Sequence, residues 1–156
     1  MVKRVLIDVV IGAGLAFFAQ ILQYGAYLIG LLVGLPFSYD TAPVDPASSP
    51  GWNTQVNLLF LLSAPLVLAL TFAVAWVLKV QGVSVGVRRG VIWAAVALVW
   101  MLLVGVGNGT LAMFTTLGVW AYFVAVALGP ILVGWLRRDL QRAEPEAMPE
   151  TRIRGW

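Results

Sequence analysis

VNLLFLLSAPLVLALTFAVAWVLKVQGVSVGVRR, residues 56–89, decides the fold. Its first part, 56–78, carries no charge. As a helix rising ~1.5 Å per residue it reaches about 34 Å, enough to cross a hydrocarbon core of ~30 Å. Lys79, Arg88 and Arg89 then arrive in a short link containing Gln81, Gly82, Ser84 and Gly86. Basic residues clustered beside the ends of spanning helices mark the cytoplasmic side of a membrane. A span followed by a cytoplasmic link is therefore the starting assignment.

Three further apolar segments lie outward from this stretch, at 5–35, 90–106 and 111–135. Lys3 and Arg4 precede the first, and Arg137, Arg138, Arg142, Arg152 and Arg154 follow the last. The two remaining links carry no basic residue: 36–54 has only Asp40 and Asp45, and Gly107-Asn108-Gly109-Thr110 is uncharged. All 10 lysines and arginines thus fall on one side of a serpentine path. The pattern predicts an all-α polytopic membrane protein, with four transmembrane helices in two antiparallel hairpins and both termini inside. Residues 1–136 form the membrane domain and 137–156 a charged cytoplasmic tail.

Composition agrees. The chain is 61% hydrophobic, against roughly 45–50% in soluble domains, and its mean hydropathy is +0.93. Of its 156 residues, few remain outside the spans beyond one loop and one tail, so no separate soluble catalytic domain is expected. With no cysteine or histidine, thiolate chemistry and imidazole-dependent metal, haem or proton-shuttle chemistry are excluded. No enzyme activity and no cofactor are expected. The basic pI of about 9.7 reflects membrane-boundary charges rather than a nucleic-acid-binding face. Absence of cysteine fits a bacterial inner membrane.

Each segment has readable detail. The Lys3-Arg4 start followed by an apolar run imitates a signal peptide, but the run is far longer than an h-region and Asp8 interrupts it. A retained helix is the expectation. Gly30 and Gly34 form a literal GxxxG, a pattern that lets membrane helices approach closely. The outer loop is punctuated by Pro36, Pro43, Pro46 and Pro50. Pro65 should kink the second span, and Pro130 bend the inner end of the fourth. Trp52 is expected at the outer interface, and Trp76, Trp93 and Trp135 at the inner one. Asn108-Gly109-Thr110 matches a glycosylation triplet but sits too close to the bilayer to be a good acceptor.

Few residues are candidates for function. Asp8 is the only acidic residue inside an apolar segment. Such a group is a candidate coupling site for a proton or cation, though pairing with Lys3 and Arg4 at the interface is the plainer expectation. Gln20, Gln23, Tyr24 and Tyr27 fall at helical spacings of three, four and seven, a candidate polar stripe for docking or permeation. Trp100 and Trp120 lie away from the interfaces, and their indole N–H groups call for partners. Arg137, Arg138 and Arg142 are placed to meet lipid head groups.

No motif carries a resemblance to a known family. The leading expectation is a non-catalytic accessory, scaffolding or assembly subunit of a larger membrane complex. Its partners are the lipid bilayer and other membrane subunits or further copies of itself, with no nucleic acid. The first alternative is a small oligomeric channel or transporter with a path along the first helix, and a weaker one is a lipid-handling protein.

Overall fold

The computed structural model describes residues 2–35, 50–108 and 110–143, without the side chains of 2, 50–52, 108, 139 and 141–143. Most of the outer loop, most of the tail and the side chains of Trp52 and Arg142 therefore lie outside what is described. The described chain is helical: α1 Val2–Leu32, α2 Pro50–Val77, α3 Val83–Asn108, a 3-10 helix Leu111–Thr115, and α4 Leu117–Ala143. Each α-helix contains a stretch long and apolar enough to cross a membrane: Lys3–Leu32, Asn53–Val77, Val83–Gly107 and Leu117–Arg138. This is a membrane-integral architecture.

The helices end for local reasons. At the end of α1, Leu35 N–H donates to the Gly30 carbonyl at 2.9 Å and Gly34 N–H to Leu31 at 3.1 Å. Gly34 takes φ +76°, so the sequence's GxxxG ends in a Schellman cap rather than a second helix-contact glycine. The same motif closes α2, where Val80 N–H reaches Ala75 and Lys79 N–H reaches Trp76. Here the left-handed residue is Lys79, at φ 51°, a conformation that costs a side-chain-bearing residue about 1–2 kcal/mol.

The last link differs from the four residues Gly107–Thr110 that separate the third and fourth apolar segments in the sequence. Helix α3 runs through Asn108, and residues 111–115 form the 3-10 helix before α4 starts at Leu117. Thr116 is extended, at φ −88° and ψ 140°, and its hydroxyl donates to Met113 at 2.8 Å instead of capping α4. Asn57 of α2 supplies the cap, its Oδ1 accepting from Gly118 N–H at 2.6 Å. A start for α4 at 111 is therefore corrected to 117. Buried Met113 anchors the 3-10 segment to the bundle.

Packing follows the glycines. A Cβ on Gly86 would meet the backbone of Pro130, one on Gly90 the backbone of Ala127, and one on Gly134 the backbone of Gly82. Residue numbers fall on α4 as they rise on α3. Against α2, Gly118 abuts the Asn57 carbonyl and Gly129 abuts Thr71, and here numbers rise together. Lipid supplies no hydrophobic drive for helix association, so such close approaches carry much of the packing. Accordingly 56% of the α4 span is buried, against 28% for each of the other three. Helices α2 and α3 flank α4, and α1 lies across both with smaller contacts.

The core runs along these seams through Val67, Ala75, Trp93, Val119, Tyr122 and Val133. Thr71 crosses one of them: its hydroxyl donates within α2 to Val67 at 3.0 Å and lies 3.4 Å from the Ala125 carbonyl of α4. Pro130 is fully buried whereas Pro65 is exposed. At the basic end, Arg137 of α4 donates to the Trp76 carbonyl at 2.7 Å and stacks its guanidinium 4.6 Å from that ring's centroid. One carbonyl of the last turn of α2 thereby gains a second donor, from the neighbouring helix.

Candidate functional site

Polar side chains are scarce in the spans, so where α1 aims its own is informative. Asp8 is only 1% exposed and faces α3. Arg89 Nε lies 3.1 Å from Asp8 Oδ1, and Arg88 Nη2 lies 3.9 Å from Oδ2. The expected pairing with Lys3 and Arg4 is replaced, because those side chains point outward while Asp8 turns into the seam. The ion pair is incompletely hydrogen-bonded: both Asp8 oxygens, and Arg89 Nε and Nη1, lack an aligned partner among the described residues.

One turn further along, Gly12 lets α1 approach α3. A Cβ there would sit 3.2 Å from Val96 Cβ and 3.4 Å from Trp93 Cδ1. Trp93, expected at the inner interface, is instead fully buried. Its Nε1 has no hydrogen-bond partner among the described residues. Buried Asp8 and Trp93 and half-buried Arg89 thus all lie at the basic end of the α1–α3 seam.

The Gln/Tyr stripe divides. Gln20 accepts a hydrogen bond from Trp100 Nε1 of α3 at 3.2 Å. Gln23 also turns inward, and its Nε2 is buried with no partner among the described residues. Tyr27 is half-buried and engaged. Tyr24 is 66% exposed. At about 100° per residue, Gln23 and Tyr24 fall on opposite edges of the stripe, and the bundle lies on the Gln23 side. Trp120, also singled out in the sequence, donates to the Phe114 carbonyl at 2.9 Å within the last link.

Gln20 and Gln23 line a cavity of about 90 Å³ with Phe60 of α2, Trp100 and Met101 of α3, Met113 and Tyr122. Toward the basic end, Ala16, Val67, Trp93, Ala97, Tyr122 and Val126 close together with no space for a water-sized sphere. A dry layer therefore separates the cavity from the Asp8–Arg89 pair. A second, open recess of about 330 Å³ lies over Asn53, Thr54, Asn57, Thr115 and Thr116. Among the described residues, no group of three or more acidic side chains is placed to hold a metal ion.

Arg137 is committed to Trp76, while Arg138 is exposed. The sequence reading placed Gly86 in a link before a third segment starting at 90, whereas α3 starts at Val83, and it missed that Gly86 and Gly90, four residues apart, pack on α4. Comparison with family models, curated proteins and solved structures found no match.

Removing one member of a buried ion pair leaves an uncompensated charge, typically costing about 3–5 kcal/mol, whereas replacing both is far milder. Arg89→Leu, which strands the buried Asp8 carboxylate, should therefore destabilise the bundle by about 3 kcal/mol, and Asp8→Leu with Arg89→Leu should recover at least half of that. Reversible unfolding in mixed detergent micelles measures both. Losses that simply add would show that the pair is not coupled.

Proposed function

We propose that this chain is a small non-catalytic integral membrane protein, an accessory or scaffolding subunit that docks on a larger membrane complex through the outward face of α1. The observation carrying this reading is the sidedness of α1. Asp8, Gln20 and Gln23 all turn into the chain's own bundle. The opposite face presents Phe17, Phe18, Ile21, Tyr24 and Leu28, every one of them half or more exposed. Within it Phe17 and Phe18 meet edge to face with centroids 5.9 Å apart, and the Tyr24 hydroxyl is the single polar tip. Aromatic anchors with a lone hydrogen-bonding group suit a helix–helix interface in lipid. α1 is also the helix that commits least of itself to the bundle.

The reading as a channel or transporter finds less support. The dry layer interrupts a path along α1 within one copy. A path between copies needs polar groups on the outward face, where Tyr24 alone provides one. Basic residues at one end of the spans further support two antiparallel hairpins with both termini cytoplasmic, in a bacterial inner membrane.

Orientation is testable because the chain has no cysteine. Ser48→Cys in intact cells should react with an impermeant maleimide, and Ser84→Cys should react only after permeabilisation. The reverse pattern contradicts the orientation. For function, the tagged full chain is purified from its native membrane in mild detergent. A stoichiometric membrane partner is expected, reduced at least tenfold by Phe18→Ala with Tyr24→Ala at unchanged thermal stability. A homo-oligomer or a lone monomer would overturn the accessory reading.

A further inference from the structure

The cavity between α1 and the remaining helices has a chemistry of its own. None of its lining residues is charged, so an ionised occupant would be desolvated without compensation. Its polar groups are the two glutamine amides, the Trp100 indole N–H and the Tyr122 hydroxyl. Gln20 Oε1 is already occupied by the Trp100 indole N–H. Gln23 Nε2 is buried and has no partner among the described residues. Gln23 thus offers the cavity an unfilled donor, and a buried donor left unpaired is unfavourable.

The walls are aromatic and thioether. Phe60 and Tyr122 meet edge to face with centroids 5.6 Å apart, Trp100 stands on the α3 side, and Met101 and Met113 add thioether walls to a cavity that stays partly open. Ring faces and polarisable sulfur favour a flat, apolar guest. The volume of about 90 Å³ exceeds several-fold the ~10–15 Å³ that admits one water. It is the scale of a single ring, far below a drug-sized pocket of about 300 Å³ or more. The dry layer beneath gives it a closed floor.

We propose that this cavity is a binding site for an uncharged, ring-sized molecule bearing a carbonyl, with Gln23 Nε2 donating to the carbonyl oxygen and the aromatic walls holding the ring. Cyclic or aromatic ketones and the ring end of a lipid-soluble quinone-type carrier share this chemistry. Gln20, locked by Trp100, acts as a positioning residue for the α1–α3 wall. The inference does not depend on the accessory reading, since a subunit of either kind can hold such a molecule.

The full chain in lipid nanodiscs is titrated with 4-fluoroacetophenone and, separately, with 4-fluoroethylbenzene, a near-isostere lacking the carbonyl. Fluorine NMR line broadening is read against empty nanodiscs. The site predicts saturable broadening by the ketone, at least tenfold weaker binding of the ethylbenzene, and a Gln23→Leu variant that loses tenfold for the ketone while keeping the ethylbenzene unchanged. That last comparison also reports whether the variant's pocket is intact. Equal binding of the two probes to the unaltered chain, or no saturable binding above empty nanodiscs, overturns the proposal without reference to any variant.

Discussion

Backbone approaching backbone at glycine is the constraint on which the rest of this bundle depends. In water, apolar side chains drive helices together, but in lipid the alternative environment is equally apolar and the remaining gains are dispersion and polar contacts at short range. Gly86 and Gly90 open the α3 surface to α4, Gly134 of α4 abuts the Gly82 backbone just before α3, and Gly118 and Gly129 open α4 to α2. Helix α4 is consequently the most buried element, and its flanking helices turn large apolar residues outward. The cross-helix cap from Asn57 to Gly118 exists because that approach is so close.

The first helix is attached differently, and its attachment shapes its role. It meets α3 through an ion pair at Asp8, a close approach at Gly12 and one hydrogen bond at Gln20. Each polar group faces the bundle, because an unpaired one facing lipid would be costly. That leaves the outward face of α1 apolar and aromatic, and it leaves room inside. Where α1 does not fully close on the others, the cavity remains, and the Gln23 amide is left without a partner among the described residues. An outward face suited to docking and an inward face suited to a small guest are two consequences of one loosely packed helix.

Much of the architecture was legible in the sequence, because span length and hydropathy depend on the bilayer and not on neighbouring helices. Four helices able to span were read from apolar runs, and all four are present. What the runs could not reveal is which face of each helix meets protein, since lipid-facing and protein-facing positions are equally apolar. Tyr24 therefore grouped with Gln20 and Gln23 although it points away from them. Asp8 was matched to its sequence neighbours Lys3 and Arg4, whereas its partner Arg89 is remote in sequence. The Gly30–Gly34 pair stood out by motif and proved to end a helix, while the period-four glycines of α3 mark the true seam. A 3-10 turn before α4 left no signal in hydropathy, because Leu111–Thr115 is as apolar as the helix it precedes.

The most direct test of this account compares two glycines of similar sequence context and opposite surroundings. Gly90 lies against the Ala127 backbone, whereas Gly14 has nothing within 4 Å of where a Cβ would stand. Unfolding free energies of Gly90→Leu and Gly14→Leu, measured reversibly in mixed micelles, isolate backbone approach from helix propensity. The account predicts a loss of about 1–3 kcal/mol for Gly90→Leu and a change within about 0.5 kcal/mol for Gly14→Leu. Equal effects at the two positions, or tolerance at Gly90, would contradict it.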